Sequence, residues 1–328
     1  MPLPQLPGTE GESWLTVRAV LARDESWAAA GHEVAWGQAR VRGGRRDRRP
    51  RAEVDRLAAF DPETGRLARL GDLELDGPRL DLWRAPIDND HGHFGPERLA
   101  PAWRALGLDR LTERVEDVAV AAEVVVQRVR VAAAGSDFGV RATFTWTAHE
   151  DVLECRVDVE PDGEWTVPLP RIGTRMALPA AIETVTWFGR GPGEAYADSR
   201  AAARVGRFTR TVDELQTRYV MPQENGNRAD VRWAELTDPA GAGIRVEGRP
   251  HVDITARRWT SEDLDRAMHA SDLVAREHVF VNVDLAQHGL GSASCGPAVL
   301  PPHRLEARPC GFAFALSRIG AGSPAPRS

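Results

Sequence analysis

The chain has 328 residues, of which 42% are apolar and 27% charged, and its formal net charge is −6. This composition is typical of a globular protein long enough for about two domains, and it argues against wholesale disorder. The acidic balance gives no electrostatic support to a general role on nucleic acid or on an anionic membrane.

The N-terminal stretch and the cysteines indicate a reducing environment. The segment MPLPQLPGTEGE has neither a basic region nor an apolar core, so we do not expect a signal peptide. No run of about 18 apolar residues predicts a membrane span. Cys155, Cys295 and Cys310 are widely spaced, which gives no disulfide framework and no metal-binding pattern. We therefore expect a cytoplasmic protein.

An arginine-rich stretch at residues 40–56 packs eight Arg and two Gly into 17 positions. A basic arm for nucleic acid is one interpretation of such a run. A solvated linker is favoured, because the chain as a whole is acidic and no aromatic residues interleave with the arginines. We predict a linker at 43–56, after a first segment at 1–42, and a flexible tail at 319–328.

The middle of the chain alternates apolar and polar residues with a period of two. VRATFTWT and LECRVDVE, joined by the polar turn AHED, predict a β-hairpin with one buried face. VFVNVDL (279–285) repeats the pattern. The residues predicted to be buried are Val140, Ala142, Phe144, Trp146, Leu153, Cys155, Val157, Val159, Val279, Val281, Val283 and Leu285.

Further strands are predicted at 122–131 and 243–248, whereas helical patterns are few. Short helices are expected within 96–108 and within 260–273, the second with Thr260 or Ser261 as its N-cap. The absence of βαβ alternation argues against a doubly wound fold. We therefore predict an all-β fold, a large antiparallel sandwich.

Four polar motifs that contain Gly or Pro follow one another along the chain. They are LWRAPIDNDHG (82–92), WFGRGPGEAYADSR (187–200), YVMPQENGNRADVRW (219–233) and GLGSASCGP (289–297). Together they resemble the C-terminal domain of β-galactosidases of glycoside hydrolase family 2, which is also the small chain of two-chain β-galactosidases. The resemblance covers residues 57–318. Residues 1–42 look like the end of the immunoglobulin-like domain that precedes this one in the full enzyme.

The resemblance implies a galactose mutarotase-like β-supersandwich and the hydrolysis of terminal β-D-galactosides such as lactose with retention. Retention needs two carboxyl groups about 5–5.5 Å apart. In the family both glutamates lie on a (β/α)₈ barrel, and this sequence shows no such βα alternation. The family's magnesium and sodium sites are also expected mostly on the missing parts. The implied partners are therefore a galactoside and a catalytic large chain or other barrel-bearing fragment, with no nucleic acid and no membrane.

The same resemblance places the loop Pro222–Arg228 at the mouth of the galactose site, where it would move between open and closed forms. Its predicted sugar-contacting residues are Gln223, Glu224, Asn225, Gly226, Asn227 and Arg228. Gly226 would relax the backbone limits and permit movement. Judged without the resemblance, the Asn-Gly pair reads as a plain hairpin turn.

A second contact is expected at Ser294 and Cys295. Several family members carry a sugar-stacking Trp where this chain has Cys295, and a thiol offers no such flat face. The alternative for Cys295 is that it packs as a small buried apolar residue, which is the commoner fate of an unpaired cysteine. It is not expected to be a nucleophile, although His288 is near in sequence.

Other polar residues of the motifs are given structural roles. Asp88, Asn89 and Asp90 lack the spacing of a calcium-binding loop and are expected to bond nearby backbone. A second group is expected to form a network at the strand ends, namely Glu194, Tyr196, Asp198 and Arg200.

Three hypotheses follow for function. The first is a non-catalytic part of a β-galactosidase, and the start of the chain inside a domain favours a truncated or split gene over a dedicated small subunit. The second is a free-standing sugar-binding or aldose-1-epimerase-like domain, for which no Glu and His pair can be assigned. The third, a nucleic-acid binder, has the least support from the charge.

Overall fold

The computed structural model describes residues 11–43, 50–92 and 98–321. The chain divides into two compact units, a smaller one that extends to Arg49 and a larger one that begins at Pro50. Residues 44–49 of the predicted arginine-rich linker lie outside the described residues. The end of the predicted linker is described, and Val54, which we assigned to it, is buried in the larger unit.

The smaller unit contains one antiparallel hairpin. Strand β1 (Ser13–Val20) pairs with β2 (Glu33–Arg42), and neither strand buries a side chain completely. This hairpin therefore builds no hydrophobic core within the described residues of its unit.

The regular structure of the larger unit is mostly antiparallel sheet. Its strands are β3 (Arg51–Ala52), β4 (Ala58–Phe60), β5 (Leu67–Leu70), β6 (Leu73–Asp81), β7 (Leu111–Ala121), β8 (Val124–Ala133), β9 (Gly139–His149), β10 (Val152–Asp162), β11 (Arg171–Pro179), β12 (Thr184–Gly191), β13 (Arg204–Thr211), β14 (Arg228–Thr237), β15 (Gly243–Arg257), β16 (His278–Gln287) and β17 (Cys310–Ile319). Its helices are α1 (Asp88–His91), α2 (Leu99–Ala105) and α3 (Ser261–Arg266).

Long strand β15 joins the two halves of this sheet. Its first half, Gly243–Gly248, pairs with β17, and its second half, Asp253–Arg257, pairs with β16. The path continues through β11 and β6 on one side and through β10, β9, β8 and β7 on the other. Strands from both ends of this path contribute to one hydrophobic core, so the sheet folds over onto itself. The predicted all-β antiparallel fold is confirmed.

The predicted hairpin is also confirmed. Strands β9 and β10 pair over their full lengths, and each of the eight predicted inward-facing residues is at most 2% exposed. Thr260 caps α3, because its side chain accepts a hydrogen bond from the backbone N–H of Asp263 at 3.2 Å.

One predicted core residue is wrong. Val279, Val281 and Val283 are fully buried, but Leu285 is 36% exposed. The register between β11 and β16 shifts at this point, so that Leu285 is an unpaired bulge residue. The bulge turns Leu285 outward and leaves Asp284 buried.

Candidate functional site

Helix α1 connects the two segments that were predicted to contact a sugar. The backbone N–H of Asp88 donates to Gln223 Oε1 at 3.1 Å, and Gln223 Nε2 donates to Asp88 Oδ2 at 3.2 Å. On the next residue, Asn89 Oδ1 accepts a hydrogen bond from Ser294 Oγ at 2.7 Å. Asn89 Nδ2 donates to the backbone carbonyls of Leu290 and Gly291 at 3.1 and 2.7 Å.

The motif at 187–200 holds both segments from the end of strand β12. Asp198 accepts hydrogen bonds from the backbone N–H groups of Leu290 and Gly291 at 2.9 and 2.8 Å. Glu194 Oε2 accepts from the N–H of Gly226 at 2.7 Å, and its Oε1 accepts from Tyr219 Oη at 2.5 Å. All four sequence motifs therefore meet in one hydrogen-bonded cluster, which we call the loop cluster.

The two predicted segments differ in exposure. All residues from Pro222 to Arg228 are buried, whereas Ser294 and Cys295 are exposed. The alternative that Cys295 packs as a buried residue is wrong. Cys295 closes a turn by donating its N–H to the carbonyl of Ser292 at 3.1 Å, outside every strand, so no second layer covers it.

Glu224 lies between two buried arginines. Its carboxylate accepts from Arg257 Nη2 at 2.6 Å and Nη1 at 3.2 Å, and from Arg171 Nη2 at 3.4 Å. Burial opposes the ionisation of Glu224, but the charges of Arg257 and Arg171 outweigh it and lower its pKa. Glu224 is therefore ionised, has a structural role and has no proton to donate.

The amide side chains of this loop are also occupied within the protein. Asn225 Oδ1 accepts from the N–H of Thr217 at 3.0 Å. Asn227 Nδ2 donates to the carbonyl of Ala195 at 2.7 Å and to Asp253 Oδ2 at 3.1 Å. Where the sequence suggested free donors and acceptors for a sugar, the structure shows a loop fastened from inside.

Gly226 closes this loop through its backbone conformation. Its φ is +78°, which L side chains rarely adopt, and an added Cβ would lie 3.0 Å from the carbonyl oxygen of Leu215. The sequence suggested that Gly226 permits movement, whereas in the structure it permits a tight, hydrogen-bonded turn.

Arg228 ends the loop with its guanidinium over an indole ring. Its Cζ lies 5.2 Å from the ring centroid of Trp187, and its Nη1 donates to the carbonyl of Gly226 at 2.9 Å. Burial lowers the pKa of Arg228 to about 10.

Helix α1 also corrects the expected role of its polar residues. Asp90 does bond nearby backbone, since its Oδ2 accepts from the N–H of Ile87 at 2.9 Å. Asp90 is also paired with buried Arg84 at 3.1 Å. Asp88 and Asn89 instead bind segments more than 130 residues away. Their spacing excluded a calcium loop but gave no sign of these long-range partners.

The sequence analysis missed the charged residues behind the loop. Arg171, Arg257 and Asp284 are at most 1% exposed, and Arg171 Nε lies 3.0 Å from Asp284 Oδ2. None of them belongs to a recognisable motif, and only the pairing of distant strands brings them together. The one available signal was Asp284 itself, an acid within an otherwise apolar run.

Nucleophilic chemistry at Cys295 has no support in the geometry. His288 is 1% exposed, and its Nδ1 accepts the backbone N–H of Leu305 at 3.1 Å. Burial and the nearby charge of Arg84 lower the pKa of His288 to about 3, so the ring is neutral.

No metal or membrane feature is found in the part of the chain that the structure describes. Within residues 11–43, 50–92 and 98–321, no group of three or more His, Cys, Asp or Glu is arranged to hold a metal ion. We therefore assign no ion to these residues and derive no step through one. Over the same residues, no helix has the length and apolarity needed to cross a membrane.

The fold and the loop cluster define a class: an all-β antiparallel domain that holds a hydrogen-bonded group of polar loops at the strand ends. The family model of the β-galactosidase small chain matches residues 54–316, and that of β-galactosidase domain 4 matches residues 1–42. The chain belongs to the β-galactosidase small-chain family.

Curated relatives agree with this assignment. The chain is 38% identical over 327 residues to a β-galactosidase of Arthrobacter sp. (strain B7), an alignment that covers 90% of the chain and 32% of that protein. It is 32% identical over 356 residues to a β-galactosidase of Vibrio cholerae, covering 98% of the chain and 33% of that protein. The chain thus spans about a third of the length of these relatives.

Solved structures that resemble the chain include a putative aldose 1-epimerase from Escherichia coli K12. It is 10% identical, with a TM-score of 0.31, and the match covers 83% of this chain and 81% of that one. A galactose mutarotase related enzyme from Lactobacillus acidophilus is 9% identical, also with a TM-score of 0.31, covering 64% and 71% of the two chains.

Proposed function

We propose that this chain is the non-catalytic C-terminal part of a β-galactosidase that hydrolyses terminal β-D-galactosides such as lactose. It acts together with a catalytic large chain or another barrel-bearing fragment. That partner carries the two catalytic glutamates and any magnesium or sodium ions, and this chain supplies part of the active-site mouth.

The observation that carries the proposal is the loop cluster. Segments from four places in the sequence are fastened to one another around helix α1, and the exposed part of the cluster is polar. Asp88 and Ser294 are exposed there, while Gln223 and Asn89 hold them in place from behind. Such an arrangement suits a preformed wall that orients a hydroxyl-rich ligand without reacting with it.

The loop itself lacks the groups that break a glycosidic bond. Retaining hydrolysis needs a proton donor and a nucleophile as an opposed pair of carboxyl groups. Glu224 is the one carboxylate of Pro222–Arg228, and Arg257 and Arg171 keep it ionised and buried. Gln223 to Arg228 therefore act in the assembled enzyme by shaping the mouth of the galactose site, with Ser294 and Cys295 at its exposed edge.

The test is a complementation assay with a chromogenic β-galactoside. The purified chain is assayed alone and after mixing with the N-terminal two thirds of the Arthrobacter sp. enzyme, the part that precedes its match to this chain. We expect no turnover by either component alone and measurable turnover by the mixture. The corresponding C-terminal third of the Arthrobacter sp. enzyme serves as the positive control.

Two results would contradict the proposal. The first is turnover that co-elutes with the homogeneous chain alone. The second is a mixture that associates stably and remains inactive while the positive control is active. The epimerase hypothesis would be revived only by aldose 1-epimerase activity in the isolated chain.

A further inference from the structure

An exposed apolar patch lies next to the loop cluster. It consists of Tyr219, Val220, Met221, Met268 and Val274, which are between 39% and 95% exposed, with Val220 at the upper limit. Single exposed apolar residues are normal on a protein surface, but large ones from two chain segments around one pocket mark a contact site.

The pocket lies between those two segments and has a volume of about 300 Å³. We call it the Trp259 pocket. Its lining mixes apolar side chains, among them Trp259, Leu264 and Leu273, with polar and charged ones, among them Gln216, Asp213 and Arg218. Two further lining residues, Pro222 and Asn225, belong to the loop at the proposed mouth of the galactose site. Whatever fills this pocket therefore also reaches the back of that loop.

Two polar atoms of residues that line the pocket lack a hydrogen-bond partner. The indole Nε1 of Trp259 and the amide Oε1 of Gln216 are buried and make no hydrogen bond with any described residue. An indole N–H can only donate and an amide oxygen can only accept, so an occupant that suits both brings an acceptor and a donor together with apolar atoms. A protein segment with an apolar side chain, a backbone carbonyl and a backbone N–H has this chemistry.

We infer that the apolar patch and the Trp259 pocket are the surface on which the barrel-bearing part of the enzyme docks. The inference rests on the proposed function, because the relatives continue for about two thirds of their length beyond the matched region. An apolar side chain of that part fills the pocket, and its backbone supplies a carbonyl for Trp259 Nε1 and an N–H for Gln216 Oε1. Buried apolar anchors of this kind dominate the energy of protein interfaces.

The first test measures protection of the patch. Val220→Cys is made with Cys295→Ser, so that the introduced thiol dominates labelling by a maleimide. The labelling rate is compared between this chain alone and a chimaera in which it replaces the matching third of the Arthrobacter sp. enzyme. We expect the labelling rate at position 220 to be lower in the chimaera by roughly tenfold or more, because an interface core excludes solvent.

The matched control is Val120→Cys, at an exposed valine of edge strand β7 outside the patch. Equal rates at Val220 in the two proteins, or equal protection at Val220 and Val120, would overturn the inference. Galactoside hydrolysis is measured on the chimaera without cysteine substitutions. An inactive chimaera in which position 220 is protected would refute the proposed function and support the interface. An active chimaera in which position 220 is unprotected would support the proposed function and refute the interface.

A second test does not depend on how the chimaera folds. Ala270→Trp fills the mouth of the pocket from an exposed position, so it does not disturb the core. We expect it to weaken binding of the separate N-terminal fragment by roughly tenfold or more. Ala240→Trp, in the exposed turn after β14, should leave binding unchanged. Equal binding by both variants, or no binding by the wild-type chain, counts against the interface.

Discussion

Gly173 faces Asp284 across the antiparallel pair of β11 and β16, with no room for a side chain between them. A Cβ on Gly173 would lie 1.9 Å from Asp284 Oδ1. This close approach lets the Asp284 carboxylate turn into the core and contact Arg171, which in turn contacts Glu224 of the loop. The anchoring of Glu224 in the loop cluster thus depends on a glycine about 50 residues away in sequence.

Gly173→Ala should therefore destabilise the chain. The added methyl group displaces Asp284, and overpacking of this kind costs about 1–3 kcal/mol in the free energy of unfolding. Urea unfolding followed by circular dichroism measures the change. Gly193→Ala is the control, because a Cβ there meets no atom within 4 Å. Equal midpoints for the two variants would show that Asp284 is not confined.

Glu224→Gln should be more damaging. It leaves Arg171 and Arg257 buried without their shared anion, and breaking a buried ion pair from one side costs about 3–5 kcal/mol. The measurement is again the free energy of unfolding in urea. Asp158→Asn, which breaks the exposed pair with Arg156, should change stability little. Comparable losses in the two variants would mean that the buried network is not essential to the fold.

Asp253 should make stability depend on pH. Burial raises its pKa to about 7, despite hydrogen bonds from Asn227 and from the backbone of Asp230. Because the folded state holds this proton more tightly, the resulting stabilisation is complete below about pH 4 and is lost as the pH rises through about 7. As the pH rises from about 4 to about 7, the free energy of unfolding of the wild-type chain should fall relative to that of Asp253→Asn. Parallel profiles of unfolding free energy against pH would contradict the assignment.

The fold was predictable because most strands obey a simple rule. Strict alternation over β9 and β10 gave the correct inward faces, since a period of two places alternate side chains on one side of a sheet. The rule failed at Leu285, where a bulge adds one residue to β16 and reverses the alternation. Nothing in the local sequence marks a bulge, because it depends on the partner strand.

The candidate site was predictable only as a set of motifs. The sequence selected the four segments that the structure brings together, but it could not show that Gln223 and Asn227 bond to protein groups. Their partners, such as Asp88 and Ala195, are distant in sequence. The arginines behind Glu224 could not be predicted for the same reason, because the tertiary pairing of strands, and not a local sequence pattern, decides which charges become buried.

Gly226 and Gly241 have nearly the same φ, so a comparison of their variants distinguishes the effect of close packing from that of backbone strain. Gly226 has φ +78° and Gly241 has φ +80°, but only Gly226 has an atom near the position of a Cβ, the Leu215 carbonyl at 3.0 Å. Both alanine variants pay a similar conformational cost. Gly226→Ala should lose about 1 kcal/mol more, through steric contact. Equal unfolding free energies for the two variants would show that the loop adjusts to the added methyl group without loss of stability.

Asn89 should act on substrate binding through the segment that it holds. Asn89→Ala removes four side-chain hydrogen bonds to residues 290–294, so that segment loses its fixed position while the core is untouched. In the complemented enzyme we expect a raised KM with a smaller change in kcat, because the lost groups orient the ligand and do not react. Limited proteolysis of the isolated chain should cut faster within 291–298, an effect that does not depend on complementation.

The control is Thr186→Ala, which removes a hydroxyl pair with Thr209 between strands β12 and β13 and should change neither KM nor the rate of proteolysis. A fall in kcat at constant KM would instead assign Asn89 to the reaction, and unchanged proteolysis would show that the segment is held by other contacts.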